Sequence, residues 1–173
     1  EKKLEILLLT HGDWGKYIIE AGEMIVGNVD CVSHIALNPA DTFEEFYETV
    51  EKKISSMKEG SLVITDIFGG TTTNVAAKAS LSYNINIISG LSAPLLFEAL
   101  LNVESIDQES TLDSIVEEGK DSCKNILKEL KKMTKSEKII ETADKILKMN
   151  KLQYSVEESS ILIQSQYYNA EKL

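Results

Sequence analysis

The sequence contains no arginine, because all 18 of its basic residues are lysines. Arginine reads guanine through two parallel hydrogen bonds and grips phosphate with a planar fork, and neither mode of recognition is open to this chain. The 28 acidic residues give a formal net charge of -10, and a surface of that sign repels a nucleic-acid backbone. We therefore expect no nucleic-acid binding by the main domain.

Cysteines and long apolar runs are also scarce. Cys31 and Cys123 lie far apart and lack the paired spacing of a zinc site or a disulfide framework, which favours two reduced thiols. No apolar run approaches the roughly 20 residues that cross a bilayer, and no secretory signal is visible. We expect a cytoplasmic protein with no metal site and no cofactor.

The charge is distributed unevenly along the 173 residues. Residues 1–127 hold 9 lysines against 21 acidic residues, whereas residues 128–173 hold 9 lysines against 7 acidic residues. A chain of this length accommodates one ordinary domain plus an appendage. We predict a main domain over residues 1–130 and a C-terminal extension over residues 131–173 whose role is open. The acidic main domain would attract a basic protein partner.

Four short aliphatic segments alternate with helical patterns. The segments are 4–9, 32–37, 62–67 and 85–88, and each is followed by a turn and by apolar residues at helical spacing. Thr42 and Glu45 have the spacing of a capping box, and a single longer helix is predicted from Ser110 to Leu130. The alternation predicts an α/β fold: an open, mainly parallel four-stranded sheet with helices on both faces, plus an additional helical C-terminal extension.

Polar residues follow three of the predicted strands. In an open parallel sheet, reactive groups collect at the carboxyl ends of the strands. His11 follows the first strand and Asp66 ends the third, so the two can meet if these strands are neighbours. A carboxylate that accepts a hydrogen bond from one imidazole nitrogen leaves the other nitrogen with a free lone pair. This pairing would make His11 a positioned nucleophile.

A glycine-rich turn stands beside this predicted pair. Gly69, Gly70 and Thr71 precede a helix, so backbone N–H groups, a hydroxyl and the positive helix end form an anion pocket, to which Gly12 is expected to contribute. A phosphoryl group fits such a pocket. The turn lacks the Gly-Lys-Ser/Thr ending of the Walker loop, and the chain has no dinucleotide fingerprint.

At these residues the sequence resembles the mannose-type IIA components of the bacterial phosphoenolpyruvate-dependent sugar phosphotransferase system. The resemblance covers roughly residues 4–130 and is carried by three ordered motifs: Thr10-His11-Gly12-Asp13-Trp14, Asp66-Ile67-Phe68-Gly69-Gly70-Thr71-Thr72-Thr73-Asn74, and Ser89-Gly90-Leu91-Ser92-Ala93-Pro94-Leu95.

The resemblance implies a phosphotransferase that works through a phosphohistidine. His11 would accept a phosphoryl group from the phosphocarrier HPr and pass it to a IIB component during sugar uptake, with Asp66 orienting its ring and Thr71 near the phosphate. It also implies a homodimer that exchanges a short strand, and an association with membranes only indirectly, through the IIC/IID permease. The family commonly has Ser-Pro-Phe-Asn where this chain has Thr71-Thr72-Thr73-Asn74.

Other interpretations stay open beside this one. Trp14, Phe68 and Ser92 are candidates for a partner-facing rim, although plain packing explains the two aromatic residues equally well. His34 lies inside the second predicted strand and is interpreted as structural. The alternative function is a IIA-like regulatory domain of a transcriptional regulator, phosphorylated on His11 as a signal. A small-molecule hydrolase or phosphatase that uses His11 and Asp66 is a third possibility.

Overall fold

The computed structural model describes residues 3–133, and the chain divides into two compact units at Cys123 and Lys124. The first unit alternates strands and helices. Its elements are β1 (Ile6–His11), α1 (Trp14–Val26), β2 (Val32–Leu37), α2 (Phe43–Ile54), β3 (Leu62–Thr65), α3 (Thr71–Ala79), β4 (Asn86–Ser89), α4 (Ala93–Leu101), a 3₁₀ turn (Val103–Ser105) and α5 (Glu109–Asp121). The second unit contains α6 (Ile126–Met133).

The four strands form one parallel sheet in the order β2-β1-β3-β4, which confirms the predicted fold class. The strand order places β1 and β3 side by side at the centre. Leu9 is in register with Thr65, and the Asp66 N–H donates to the Leu9 carbonyl over 3.2 Å. β1 continues through His11, which pairs with Leu37 of β2. The carboxyl ends of the two central strands therefore lie at one edge of the sheet.

Both faces of the sheet are covered by helices, so the central strand is buried on two sides. Ile6 and Leu8 pack into a core with α4 and α5, whereas Leu7 and Leu9 pack into a second core with α2 and α3. All four side chains are fully buried. Each such burial contributes about 1.5–3 kcal/mol, which is why the first strand reads as a continuous aliphatic run.

Local hydrogen bonds fix where the helices begin. The predicted capping box is confirmed, because the Glu45 N–H donates to the Thr42 hydroxyl over 3.2 Å and the Thr42 N–H donates to the Glu45 carboxylate over 3.0 Å. Pro94 occupies the first turn of α4, as its sequence position predicts, and Ser92 is the N-cap. These caps set the directions in which the chain leaves the sheet.

The predicted single helix over residues 110–130 is wrong, since α5 and α6 are separate helices. The Ser122 hydroxyl donates to the Glu118 carbonyl at the end of α5, and the Asn125 side chain accepts from the Lys128 N–H at the start of α6. Such side-chain bonds to the backbone compete with helix continuation. Within α5, Gly119 has no side chain, which allows Leu95 of α4 to pack in close contact with the helix.

The structure does not extend to most of the C-terminal extension. The predicted boundary at residue 130 stays a prediction, and the predicted helical extension beyond Met133 lies outside the described residues. None of the helices described between residues 3 and 133 is long and apolar enough to span a bilayer.

Candidate functional site

The candidate site lies where β1 and β3 end. His11 is the last residue of β1 and Asp66 is the first residue after β3. Their side chains meet, with His11 Nδ1 2.9 Å from Asp66 Oδ2. The imidazole is 43% exposed and the carboxylate only 4% exposed. A half-exposed ring is thus anchored to a buried acid.

One carboxylate oxygen holds His11 at two points. Asp66 Oδ2 accepts the backbone N–H of His11 over 2.8 Å as well as the ring nitrogen Nδ1. An ionised carboxylate only accepts hydrogen bonds, so Nδ1 carries the proton and Nε2 keeps its lone pair. The neutral imidazole is therefore held in the tautomer whose Nε2 is nucleophilic.

The second oxygen of Asp66 is bound on the other side. Oδ1 accepts the Ile67 N–H over 2.9 Å and the Thr72 hydroxyl over 2.8 Å. Burial alone would raise the pKa of Asp66, but the hydrogen bonds from the His11 backbone, the His11 ring and Thr72 outweigh it and lower the pKa below its ordinary value. Asp66 is thus an ionised, four-fold bonded anchor at neutral pH.

The turn between Asp66 and α3 lies against the imidazole. Gly70 is the N-cap residue of α3, and a Cβ atom at this position would stand 3.4 Å from His11 Cε1. Gly69 has φ 77°, in the region that favours glycine, and a Cβ atom there would meet nothing within 4 Å. The first N–H groups of α3 have no acceptor within the helix. Thr71 opens that first turn, so N–H donors and a positive helix end lie beside the ring.

The other side of β1 carries a second polar network. The Thr10 hydroxyl donates to the Gly12 carbonyl over 2.6 Å, so its oxygen accepts from His34 Nε2, 2.9 Å away. Burial lowers the pKa of His34, and the charge of Asp13 and the Gly12 backbone offset only part of that effect. His34 therefore braces the turn that follows His11.

The predicted rim residues differ in their surroundings. Phe68 is 87% exposed and Trp14 is 40% exposed, and Ile67, which the sequence did not single out, is 56% exposed. Ser92 accepts a hydrogen bond from the Leu95 N–H over 3.4 Å as the N-cap of α4. Two of these three exposed apolar side chains thus belong to the turn after β3.

The residues that sequence reasoning missed are hydroxyl donors. Thr72, rather than Thr71, bonds Asp66, and Thr73 bonds both Thr65 and the Ile67 carbonyl. The run of three threonines is the signal that could have found them, because a helix start places successive side chains on different sides. Among residues 3–133, no group of three or more His, Cys, Asp or Glu side chains is arranged to hold a metal ion.

A family model described as PTS system fructose IIA component matches residues 5–116. The chain is 31% identical over 105 residues to the PTS system sorbose-specific EIIA component of Lacticaseibacillus casei, a match that covers 60% of this chain and 76% of that protein. It is 24% identical over 116 residues to the PTS system mannose-specific EIIAB component of Escherichia coli strain K12, covering 65% of this chain and only 35% of that protein.

Solved structures agree with this relationship. The PTS IIA protein associated with the fucose utilization operon from Streptococcus pneumoniae superimposes with a TM-score of 0.65 at 27% identity. That match covers 75% of this chain and 98% of the other. Residues 5–116 contain both the imidazole and the carboxylate of the candidate site, so the matched region and the polar edge of the sheet coincide.

Proposed function

This chain belongs to the mannose-type family of PTS IIA components, and from that premise we propose that it is a phosphohistidine carrier, accepting a phosphoryl group from HPr on His11 and passing it to a IIB component. Family membership gives the chain a phosphotransfer role in a sugar phosphotransferase system. The observation that carries the specific proposal is the 2.9 Å hydrogen bond between His11 Nδ1 and Asp66 Oδ2.

In the proposed reaction, the Nε2 lone pair of His11 attacks the phosphorus atom of phosphorylated HPr. A phosphorus–nitrogen bond forms at Nε2 while the bond between phosphorus and the donor breaks, and the donor keeps the bonding electrons. The His11 ring becomes cationic as it accepts the group, and the buried Asp66 carboxylate stabilises that charge through the Nδ1 proton. Transfer to IIB reverses these changes and restores the neutral ring.

The phosphoryl oxygens need donors that do not compete with Asp66. We propose that Gly12, Gly69, Gly70 and Thr71 provide them through backbone N–H groups and the Thr71 hydroxyl. The start of α3 beside the His11 ring supports this assignment, because a helix N-terminus favours an anion. A pocket of amides and hydroxyls holds phosphate less tightly than arginine would, which suits a group that must be passed on.

The partners would dock on the exposed side of the imidazole. Phe68 and Trp14 form the apolar part of the proposed rim, and Ser92 at the start of α4 is its weakest member. The acidic character of residues 1–127 would draw basic surfaces of HPr and IIB toward the site. We propose a cytoplasmic location on the same basis, since the exchange is between proteins.

We also propose that residues 1–130 act as the carrier domain and that it is a homodimer. Within residues 3–133, β4 pairs with β3 on one side only, which leaves an edge that a partner strand can extend. Light scattering after size-exclusion chromatography measures the mass directly. A mass twice 19.2 kDa supports the dimer, and a mass of one chain contradicts it.

The regulatory alternative uses the same phosphorylation of His11. The name of the sorbose-specific relative favours transport over regulation for this chain. Onward transfer of the phosphoryl group to a IIB protein separates the two functions, because a signalling domain needs no such acceptor.

The proposal is tested by incubating the protein with phosphoenolpyruvate, Enzyme I and HPr and weighing the product by mass spectrometry. We expect one acid-labile phosphoryl group per chain, which is lost in His11→Ala. His34→Gln is the matched control, because the chain has two histidines and this variant should still be labelled. Labelling that survives in His11→Ala, or that is absent from the unmodified protein, would refute the proposal.

A further inference from the structure

Thr72 is a buried residue whose hydroxyl donates to Asp66, the acid that holds the His11 ring. It is 0% exposed and lies in the first turn of α3. Its hydroxyl donates to Asp66 Oδ1 over 2.8 Å. Nucleophilic attack, phosphate binding and partner docking are proposed for other residues.

The Asp66 carboxylate needs restraint at both oxygens. Rotation about its terminal side-chain bond is soft, with a broad two-fold preference. Among residues 3–133, Oδ2 accepts hydrogen bonds only from His11, whereas Oδ1 accepts from the Ile67 N–H and the Thr72 hydroxyl. The donors on Oδ1 therefore determine the plane in which Oδ2 is presented to the imidazole.

The two donors on Oδ1 differ in what holds them. The Ile67 N–H belongs to the residue that follows Asp66, so it moves with the same turn. Thr72 belongs to α3, whose Val75 and Ala76 are fully buried in the core between the sheet and the helices. Its hydroxyl thus connects the carboxylate to a packed helix.

Thr73, the next residue, provides a contrast within the same helical turn. Its hydroxyl donates to the Ile67 carbonyl over 2.7 Å and lies 2.7 Å from the Thr65 hydroxyl. It joins α3 to the end of β3, whereas the threonine hydroxyl that donates to Asp66 Oδ1 is that of Thr72. The Thr73 hydroxyl therefore stabilises the turn after β3, and the Thr72 hydroxyl stabilises the Asp66 carboxylate.

We propose that Thr72 is a positioning residue for phosphoryl transfer, acting through Asp66 to keep the His11 ring in the tautomer and direction that expose a nucleophilic Nε2. This inference rests on the proposed function.

The test compares Thr72→Val, Thr72→Ser and Thr73→Val with the unmodified protein. Valine keeps the shape of threonine and removes the hydroxyl, and serine keeps the hydroxyl. The first measurement is the ¹⁵N chemical shifts of the His11 ring in the unphosphorylated protein, which report which nitrogen carries the proton. The second is the rate of phosphorylation by phosphorylated HPr, with thermal unfolding measured for every variant.

We expect Thr72→Val to mix the two His11 tautomers and to slow phosphorylation about tenfold, the effect of losing one hydrogen bond to a charged group. Thr72→Ser should restore both measurements. Thr73→Val should lower the unfolding temperature and leave the His11 nitrogen shifts in place.

The positioning role is overturned if Thr72→Val leaves the tautomer and the rate unchanged, or if Thr73→Val shifts the nitrogen signals as much as Thr72→Val. The nitrogen shifts need no HPr, so they decide whether Thr72 controls the His11 tautomer even if the unmodified protein fails to accept a phosphoryl group. A failure of labelling with intact tautomer control would reject the proposed function alone.

Discussion

The amino and carboxyl ends of the strands in this sheet differ in the kind of surface that they form. At the amino ends of the strands, a cavity of about 790 Å³ is lined by charges of both signs, including Lys3, Glu5, Asp30 and Lys58. At the carboxyl ends, His11 lies on a rim with 43% of its side chain exposed. The amino ends are thus distinguished by a cavity, and the carboxyl ends by a hydrogen-bond network around Asp66.

The difference follows from what each end can hold. A small-molecule site encloses most of its ligand, whereas a group that the proposed carrier exchanges with another protein must be reachable from outside. At the amino end, Lys53 and Glu5 form an ion pair of 2.9 Å that is about one-third exposed on both sides, and such pairs contribute about 0–1 kcal/mol. Asp66, by contrast, is buried and accepts four hydrogen bonds. The end with the proposed reactive site is therefore the one whose side chains are held in place by hydrogen bonds before any partner binds.

The largest expected effect is on the rate of His11 phosphorylation, which substitutions at the two ends of the sheet should change to different extents. Asp66→Asn should slow phosphorylation of His11 by about 10²–10⁴-fold, because an amide must point its NH₂ group at existing donors and cannot hold the Nδ1 proton as a carboxylate does. Glu5→Gln makes the same change of acid to amide at the other end and should alter the rate by less than about twofold. Quenched time-course assays with phosphorylated HPr measure the rate of His11 phosphorylation in both variants. Equal rates for the two variants would remove the functional distinction between the ends.

A second comparison tests packing along α1, which begins beside the site. Gly15 lies against His34, so the side chain of Gly15→Ala would collide with that ring and cost about 1–3 kcal/mol of unfolding free energy. A Cβ atom at Gly22 would stand 3.5 Å from Phe97, which is ordinary contact. Gly22→Ala should therefore stabilise the helix by up to about 1 kcal/mol. Urea titration of both variants gives the signs, and equal stabilities would contradict the packing described at the turn after His11.

The smallest expected effect is the change of the unfolding free energy with pH, for which we predict the sign. The pKa of His34 is lowered by burial, so the unfolded chain takes up this proton first. The stability that this residue contributes is complete above its ordinary pKa of 6.5 and is lost as the pH falls below that value. The lowered pKa of Asp66 adds a further loss below its ordinary value of 3.8.

Urea titrations between pH 7.5 and pH 3 measure these losses of stability. His34→Gln should remove the loss that begins near pH 6.5 and keep the one that begins near 3.8. An unchanged profile in His34→Gln would show that His34 is as well solvated in the folded protein as in the unfolded chain.

Much of the fold could be predicted because burial on two faces leaves a visible trace in the sequence. The aliphatic run of the first strand predicts a buried strand, and the spacing of Thr42 and Glu45 predicts a helix start; the structure has both. The break between α5 and α6 could not be predicted, since apolar spacing continues across it and only the side-chain bonds of Ser122 and Asn125 interrupt the helix.

The candidate site was predictable in part. The meeting of His11 and Asp66 depended on β1 and β3 being neighbours, which is a property of strand order that no local pattern contains. Which of three consecutive threonines bonds Asp66 depends on the phase of α3 at its first turn, and the structure gives Thr72. The roles of Gly12, Gly69, Gly70 and Thr71 toward phosphate stay predictions.

The most direct test of the central claim is to find which ring nitrogen of His11 receives the phosphoryl group. Phosphorylated protein with ¹⁵N-labelled histidine would show phosphorus–nitrogen coupling at one nitrogen of that ring. The hydrogen bond from Nδ1 to Asp66 predicts the phosphoryl group on Nε2. Coupling at Nδ1 would show that Nε2 is not the nucleophile, because Nδ1 would have to release the Asp66 carboxylate before it could accept the group.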